Sequence, residues 1–450
     1  LHRADPKISP SAPGHREGEP VMLLELGIIP VEEIDWGRKT AIDGKALHIH
    51  REELIEETRG NDFRIASVRA DLARPGESVR ILPVKDVIEP RVKIEGRGGI
   101  FPGLISGVET VGTGRTHVLK GCAVVTAGQV VGFQEGLIDM SGTGARYSSF
   151  SRLLNIVLGI DVLPGISPHQ HEEALRLAGL RAAAYLGEAC RSAVPESVER
   201  FEWPRFPTPV RRDAGLPDVA YVCMLLSQGL LHDTYLYGRD VKSLLPTLLL
   251  PTESMDGAIV SGNCVSACDK NTTYHHQNNP VISELLRRDG TDLRFLGTVV
   301  TNANVTLRDK VRSAEYAVKL VEMLGARGAV VSKEGFGNPD ADAMMICAGL
   351  EERGIRTVLI SDEFAGSDGA SQSLADVTPH ADAIVSVGNA NERITLPPME
   401  RVLGDIRVAE KLAGGQSGSL ARAGGLGVEL QALLGATNEL GFEVLYARGG

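Results

Sequence analysis

LRFLGTVVT (residues 293–301), ARGAVVS (326–332), RTVLIS (356–361) and ADAIVSV (381–387) are short apolar runs parted by helical or polar stretches. That alternation predicts βαβ units and a mostly parallel sheet. After the first run, Thr306 with Asp309 reads as a helix cap, and Val311, Ala314, Ala317, Val318, Val321 and Leu324 follow at three-to-four spacing, one core-facing stripe. A second helix opens at Asn338-Pro339, runs through Met344, Cys347 and Leu350, and stops at Gly354. Loops after the strand ends of an open parallel sheet collect at one edge, where ligands bind. They carry Thr301, Asn302, Glu334, Phe336, Asp362, Glu363 and Asn389; plain turn chemistry accounts for the same residue types equally well.

Upstream, LLELGIIPVEEI (23–34) and KALHIH (45–50) flank Asp43-Gly44 and read as short strands with a hairpin turn. Glycines crowd between Gly96 and Gly144, around apolar runs such as CAVVTAG, without a complete dinucleotide or P-loop fingerprint, so a loop-rich β domain is expected. Ser167-Pro168 opens an Ala/Leu-rich helix. His169 and His171, two apart, cannot share its face. His48 and His50 would share a strand face but read as solvated. The expected fold class is α/β plus a β-rich N-terminal region, with a C-terminal open, mostly parallel sheet and flanking helices. The expected division is a flexible tail at 1–21, a β-rich, Gly-rich domain at 22–165, a mixed α/β region at 166–290 and a βαβ domain at 291–450. Residues 201–209, rich in Pro, Glu and Arg, read as a linker.

The chain has 450 residues, enough for two or three domains without disulfide staples. Its formal charge of −11 argues against nonspecific binding to nucleic acid or an anionic membrane. Its apolar runs are too short to span a bilayer. Six scattered Cys do not form a secreted disulfide framework, and the polar, Pro-rich first residues lack an apolar signal core, so a cytoplasmic protein is expected.

One segment stands apart: AIVSGNCVSACDKNTTYHHQNNPVI (258–282). Within nine residues of Asn271 lie two Cys, two His, one Asp, one Lys and four other Asn or Gln. Such polar density rarely serves packing alone. Ala258 to Ser261 is strand-like, and Val265 to Ala267 is expected to pair back on it through a Gly262-Asn263 loop, whose residues tolerate positive φ. Cys264 then leaves a tight turn, placed to attack the Asn263 carbonyl, with strain and proximity replacing a bimolecular encounter.

GNCVSACDKNTTYHHQNNPVI (262–282) resembles the processing site of the proprotein of the α and β subunits of glycine/sarcosine/betaine reductase component B, a family related to the D-proline reductase proprotein. The similarity extends from MLLELGIIPVEEI (22–34) through GGIFPGLISG (98–107) into the βαβ region. The resemblance implies a zymogen that cleaves itself at Asn263–Cys264 into residues 1–263 and 264–450, with Cys264 becoming a pyruvoyl cofactor. An N→S acyl shift, elimination at Cys264 and hydrolysis of the resulting dehydroalanine would yield the ketone and ammonia. That ketone forms an imine (Schiff base) with glycine or an iminium with sarcosine, whereas quaternary betaine cannot form the adduct. The family also implies a partner subunit bearing a selenocysteine or cysteine, downstream carrier and acetyl-transfer components, and a small amine substrate. Asp269, His275 and His276 are candidates for proton transfer, and Asn271, Thr272, Thr273 and Asn278 for orienting a carboxylate or oxyanion.

Three rival readings remain. Cys264, Cys268, His275 and His276 offer four zinc ligands, although adjacent histidines project differently. The chain could instead be an unprocessed scaffold subunit of a reductase complex. A Cys264/Cys268 redox pair lacks the C-x-x-C signature. Neither G-x-S-x-G nor H-E-x-x-H occurs.

Overall fold

The computed structural model describes residues 21–204, 215–228, 231, 234–262 and 266–442. Most of the expected tail, residues 205–209 of the expected linker, and Asn263, Cys264 and Val265 lie outside them. The protein is α/β, and among the described residues no helix is long and apolar enough to cross a membrane.

Among the described residues the N-terminal part holds a small sheet of three strands and two larger ones. In one, Val21–Pro30 lies between antiparallel Ser197–Pro204 and parallel Gly114–Lys120, with Arg91–Glu95 beyond. The other runs Gly136–Asp139, Val79–Ile88, Cys122–Ala127, Leu154–Val162, Ile65–Ala73. The Asp43-Gly44 turn is formed as expected: Ala41–Asp43 pairs with Ala46–Ile49, and Gly44 takes φ 59°. Helix Pro168–Glu188 starts with a reciprocal cap between Ser167 and Gln170. Its Ala174, Leu175, Ala178 and Ala182 pack into one core with Ile88, Val124 and Ile156 of the second sheet.

The expected parallel sheet is present as Arg294–Ala303, Gly328–Lys333, Arg356–Glu363 and Ile384–Asn389. Its central strand, Asp218–Leu226, comes from upstream of residue 291 and pairs in parallel with both Arg294–Ala303 and Gly328–Lys333. In space the parallel strands run second, first, third, fourth, fifth, the doubly wound order whose switch point lies between the first and third. Thr247–Leu249 adds an antiparallel edge. The central strand is covered on both faces. Ala220, Val222 and Met224 meet helices Leu307–Met323 and Asn338–Glu351. Tyr221, Cys223 and Leu225 meet Leu24, Trp203, Ile282 and Leu285. Thr306 caps its helix through Asp309 N. The expected stripe is buried from Ala314 to Leu324, while Val311 stays half exposed. Arg401–Gly404 returns to the N-terminal part and pairs in parallel with Val79–Ile88.

A buried ion pair of the second N-terminal sheet also reaches the C-terminal part, through Pro397 O. Arg80 donates Nε to Asp139 Oδ1 at 2.6 Å and Nη2 to Asp139 Oδ2 at 2.7 Å and Pro397 O at 3.0 Å, with both side chains fully buried. Burial pushes the Asp139 carboxyl up, against the pull of Arg80. Arg80→Met strands a buried carboxyl and is expected to cost about 3–5 kcal/mol in urea unfolding. Adding Asp139→Leu is expected to restore much of that loss, because removing both charges spares the desolvation.

Candidate functional site

Ile259–Val260 is a strand, but its partner is Tyr235–Leu236, with Tyr235 opposite Val260. The expected return strand is absent at Ala267, which begins a turn over 267–269. The reason is competition for the backbone: Ala267 O accepts from Gly435 N at 2.8 Å and Cys268 O from Thr437 N at 2.9 Å.

Downstream, Thr273–Gln277 forms one helical turn. Thr272 Oγ1 accepts from His275 N at 3.3 Å, and Thr272 N donates back to His275 Nδ1 at 3.1 Å. Asp86 grips this turn, accepting from Thr273 N at 2.9 Å and from its hydroxyl at 2.7 Å. The same hydroxyl accepts from Ser261 N at 3.1 Å. Lys270 Nζ donates to Gly262 O at 2.7 Å. Asn438 Nδ2 donates to Asn271 Oδ1 at 2.5 Å. Ser261 and Gly262, upstream of Asn263, are therefore tied to fully buried polar groups, as are Asn271 and Thr273 further downstream. Asn278 sits elsewhere, against the buried Glu89 carboxylate at 3.2 Å and the Lys120 and Arg91 cations.

The adjacent histidines diverge. His275 lies between Phe150 and Phe442, with ring centroids at 4.9 and 4.7 Å. Burial lowers its pKa to about 3, so it is neutral near pH 7. Its Nδ1 accepts from Thr272, which assigns the proton to Nε2. His276 Nε2 instead stands 3.1 Å from Glu334 Oε1. Glu334 Oε2 accepts from Leu226 N at 2.7 Å and from the Thr234 hydroxyl at 2.8 Å. Leu226 ends the first parallel strand and Glu334 follows the third, so His276 is held at the sheet's switch point.

A second junction forms around Lys333, whose Nζ lies 2.8 Å from Glu439, 2.9 Å from Asp340 and 3.4 Å from Asp362. Burial opposes the Lys333 charge, but Glu439, Asp362 and Asp340 outweigh it and raise its pKa. Burial and the charge of Asp362 hold the Asp269 carboxyl well above the usual carboxylate range, against Lys333. Burial also lifts Glu439. Burial raises the Asp362 carboxyl too, against the pull of Lys333, so Asp269, Asp362 and Glu439 all resist ionisation around this one ammonium.

Of the sheet-edge candidates, Glu334 and Asp362 thus meet the 258–282 segment. The others serve turns: Asn302 donates to Val241 O and Leu244 O, Asn389 accepts from Ala365 N, Glu363 from the Ser373 hydroxyl, and Phe336 stacks on Phe364. Thr301 is buried within its strand. Sequence reasoning missed Asp86, Lys270, Lys333, Asn438 and Glu439. Asp86 carries no local signal, being 187 residues from Thr273. Lys270, a lone cation in a polar but otherwise weakly charged run, was the detectable one. The Cys268 thiol is buried and its pKa is raised by that burial. Among the described residues no group of three or more His, Cys, Asp or Glu is arranged to hold a metal ion.

Comparison with known proteins gives a consistent set of relatives. The model of the family described as glycine/sarcosine/betaine reductase component B subunits matches residues 22–448. Over 428 residues the chain is 54% identical to the glycine reductase complex component B subunits alpha and beta of Peptoclostridium acidaminophilum, covering 95% of this chain and 100% of that protein. It is 48% identical over 427 residues to the sarcosine reductase complex component B subunit alpha of the same organism, again covering 95% and 100%. It is 23% identical over 374 residues to the D-proline reductase proprotein of Acetoanaerobium sticklandii, covering 76% of this chain and 56% of that one. No solved structure matches.

The Lys333 junction generates a pH test. Asp269 and Glu439 have folded-state pKa values above their unfolded ones, so their contribution is intact below about pH 4 and is lost as pH rises through the raised values. Lys333→Met removes the ammonium that tolerates their ionisation. Measured by urea unfolding against the unsubstituted protein at the same pH, its penalty is expected to grow as pH rises above about 4, towards about 3–5 kcal/mol, the cost of buried carboxylates left without their cation.

Proposed function

Because the chain belongs to the glycine/sarcosine/betaine reductase component B family, we propose that it is the precursor of a pyruvoyl-dependent reductase that cuts itself between Asn263 and Cys264. It is a component B subunit of this reductase class, related to the D-proline reductase proprotein. The observation that carries the proposal is the anchoring of both arms of the 258–282 segment, Gly262 by Lys270 and Thr273 by Asp86, with His276 of the same segment against Glu334 at the switch point of a doubly wound sheet. Two names support it: one relative is called subunits alpha and beta, and another a proprotein.

In the cleavage, the Cys264 sulfur adds to the Asn263 carbonyl, the amide C–N bond breaks, and the thiol proton passes to the nitrogen. Loss of the Cys264 Cα proton with rupture of its Cβ–S bond leaves dehydroalanine. Water then releases ammonia to give the ketone, and releases sulfide from the Asn263 thioacid. No external oxidant is required. Asp269, its carboxyl held well above the usual carboxylate range by burial and the charge of Asp362, is suited to donate a proton. His276, oriented by Glu334, is suited to shuttle one. His275, neutral and stacked, serves as a helix cap. Asn271, Thr272 and Thr273 position the segment, since their side chains already have protein partners.

The surroundings fit a pyruvoyl group: Asp269 Oδ2 is buried without a partner and the Lys270 ammonium stands beside Gly262, a carboxyl and a cation suited to carbonyl oxygens, while His276, with Nε2 turned to Glu334, leaves Nδ1 buried as an unpartnered proton acceptor. When formed, such a ketone captures a substrate amine covalently and draws electrons from the C–N bond to be cleaved. The substrates proposed are small amines of the glycine, sarcosine or betaine type. A separate subunit carrying a selenol or thiol would complete the reduction, with carrier and acetyl-transfer components downstream.

The test is intact mass of the full chain under denaturing conditions. Two fragments meeting at 263/264 are expected, the second blocked to Edman sequencing and reactive toward a carbonyl label, and Cys264→Ala is expected to remain whole. A single full-length mass with a free Cys264 thiol would overturn the proposal and favour an unprocessed scaffold subunit.

A further inference from the structure

We propose that Lys270 and the Asp86–Thr273 pair form a two-point clamp on the backbone at Ser261 and Gly262 that positions the Asn263–Cys264 bond for cleavage. The inference rests on the self-cleavage reading above and names residues that set its rate.

Lys270 is fully buried, and its ammonium donates to a neutral backbone carbonyl, Gly262 O. Burying a cation against a neutral acceptor is a poor way to stabilise a fold, because Coulomb attraction does not offset the lost hydration. Lys85, also fully buried, pairs with Glu172 at 3.2 Å; after burial, the charges of Glu172 and Asp86 raise its pKa and that of Lys270 lowers it. Two lysines and the Asp86 carboxylate thus share one interior region. What Lys270 does achieve is local: it fixes the carbonyl of the peptide unit joining Gly262 to Asn263.

The second point is independent of Lys270. Ser261 N donates to the Thr273 hydroxyl, which donates to Asp86 Oδ2, while Asp86 Oδ1 accepts from Thr273 N. Asp86 reaches this position from a strand whose register against Cys122–Ala127 shifts between Val84 and Asp86. Such bulges re-aim side chains beside functional sites. One clamp point holds the amide on the N-terminal side of Ser261 and the other the carbonyl of Gly262, leaving few rotations before the Asn263 carbonyl. An intramolecular attack gains its rate from that restriction, and a misplacement of about 1 Å can cost a hundredfold. Both are positioning residues, acting through the backbone.

The experiment uses the full-length chain and follows the first-order appearance of the two fragments, with thermal melting and circular dichroism reporting the fold. Lys270→Met is expected to slow cleavage by about tenfold or more, and Lys270→Arg, which keeps a cationic donor, to recover most of the rate. Thr273→Val is expected to slow it likewise and Thr273→Ser to recover it. A folded Lys270→Met chain cleaving at the unsubstituted rate would overturn the clamp. Should Lys270→Met fail to fold, the Thr273 pair decides, and equal rates for Val and Ser there would overturn it. Absence of cleavage in the unsubstituted chain is a different result, which defeats the self-cleavage reading itself.

Discussion

The carboxylate of Glu334 is where the architecture converges. It receives the backbone amide that ends the central strand, the Thr234 hydroxyl and an edge of His276. A buried carboxylate must find donors, and here they come from the strand Asp218–Leu226, from the loop after it and from the helical turn Thr273–Gln277. The constraint works in both directions. The sheet supplies a site for the polar segment, and the segment supplies hydrogen bonds that a carboxylate at the switch point needs.

Features governed by neighbouring residues were legible in the sequence. The Ser167 and Thr306-Asp309 caps, the Asp43-Gly44 turn and four strands of the parallel sheet all follow from spacing over a few positions. The central strand did not, because a strand buried on both faces lacks the alternation that marks a half-exposed one. Asp218–Leu226 therefore read as just another apolar run, and the expected sheet lacked its middle. The return strand expected to run to Ala267 failed for a different reason: Ala267 begins a turn instead. Turn propensity is local, but the downstream backbone groups of Ala267 and Cys268 were taken by residues 435 and 437, far along the chain.

The site shows the same division. Asp269, His276, Glu334 and Asp362 were singled out by residue type, but as two unrelated sets; the structure joins them through Glu334 and the Lys333 cluster. The groups that hold the segment, Asp86 and Asn438, come from opposite ends of the chain and no spacing rule reaches them. His275 illustrates how burial overrides residue type: a side chain suited to titrate near neutrality is stacked between two phenylalanines and stays uncharged.

The return of Arg401–Gly404 to Val79–Ile88, and the placement of Asp218–Leu226 between Arg294–Ala303 and Gly328–Lys333, interlace elements from either side of residue 263. Scission of the chain at one bond leaves those ladders untouched. The two products would stay entwined as a permanent heterodimer, resistant to dilution, and exchange of one half for a fresh copy would require unravelling the sheet.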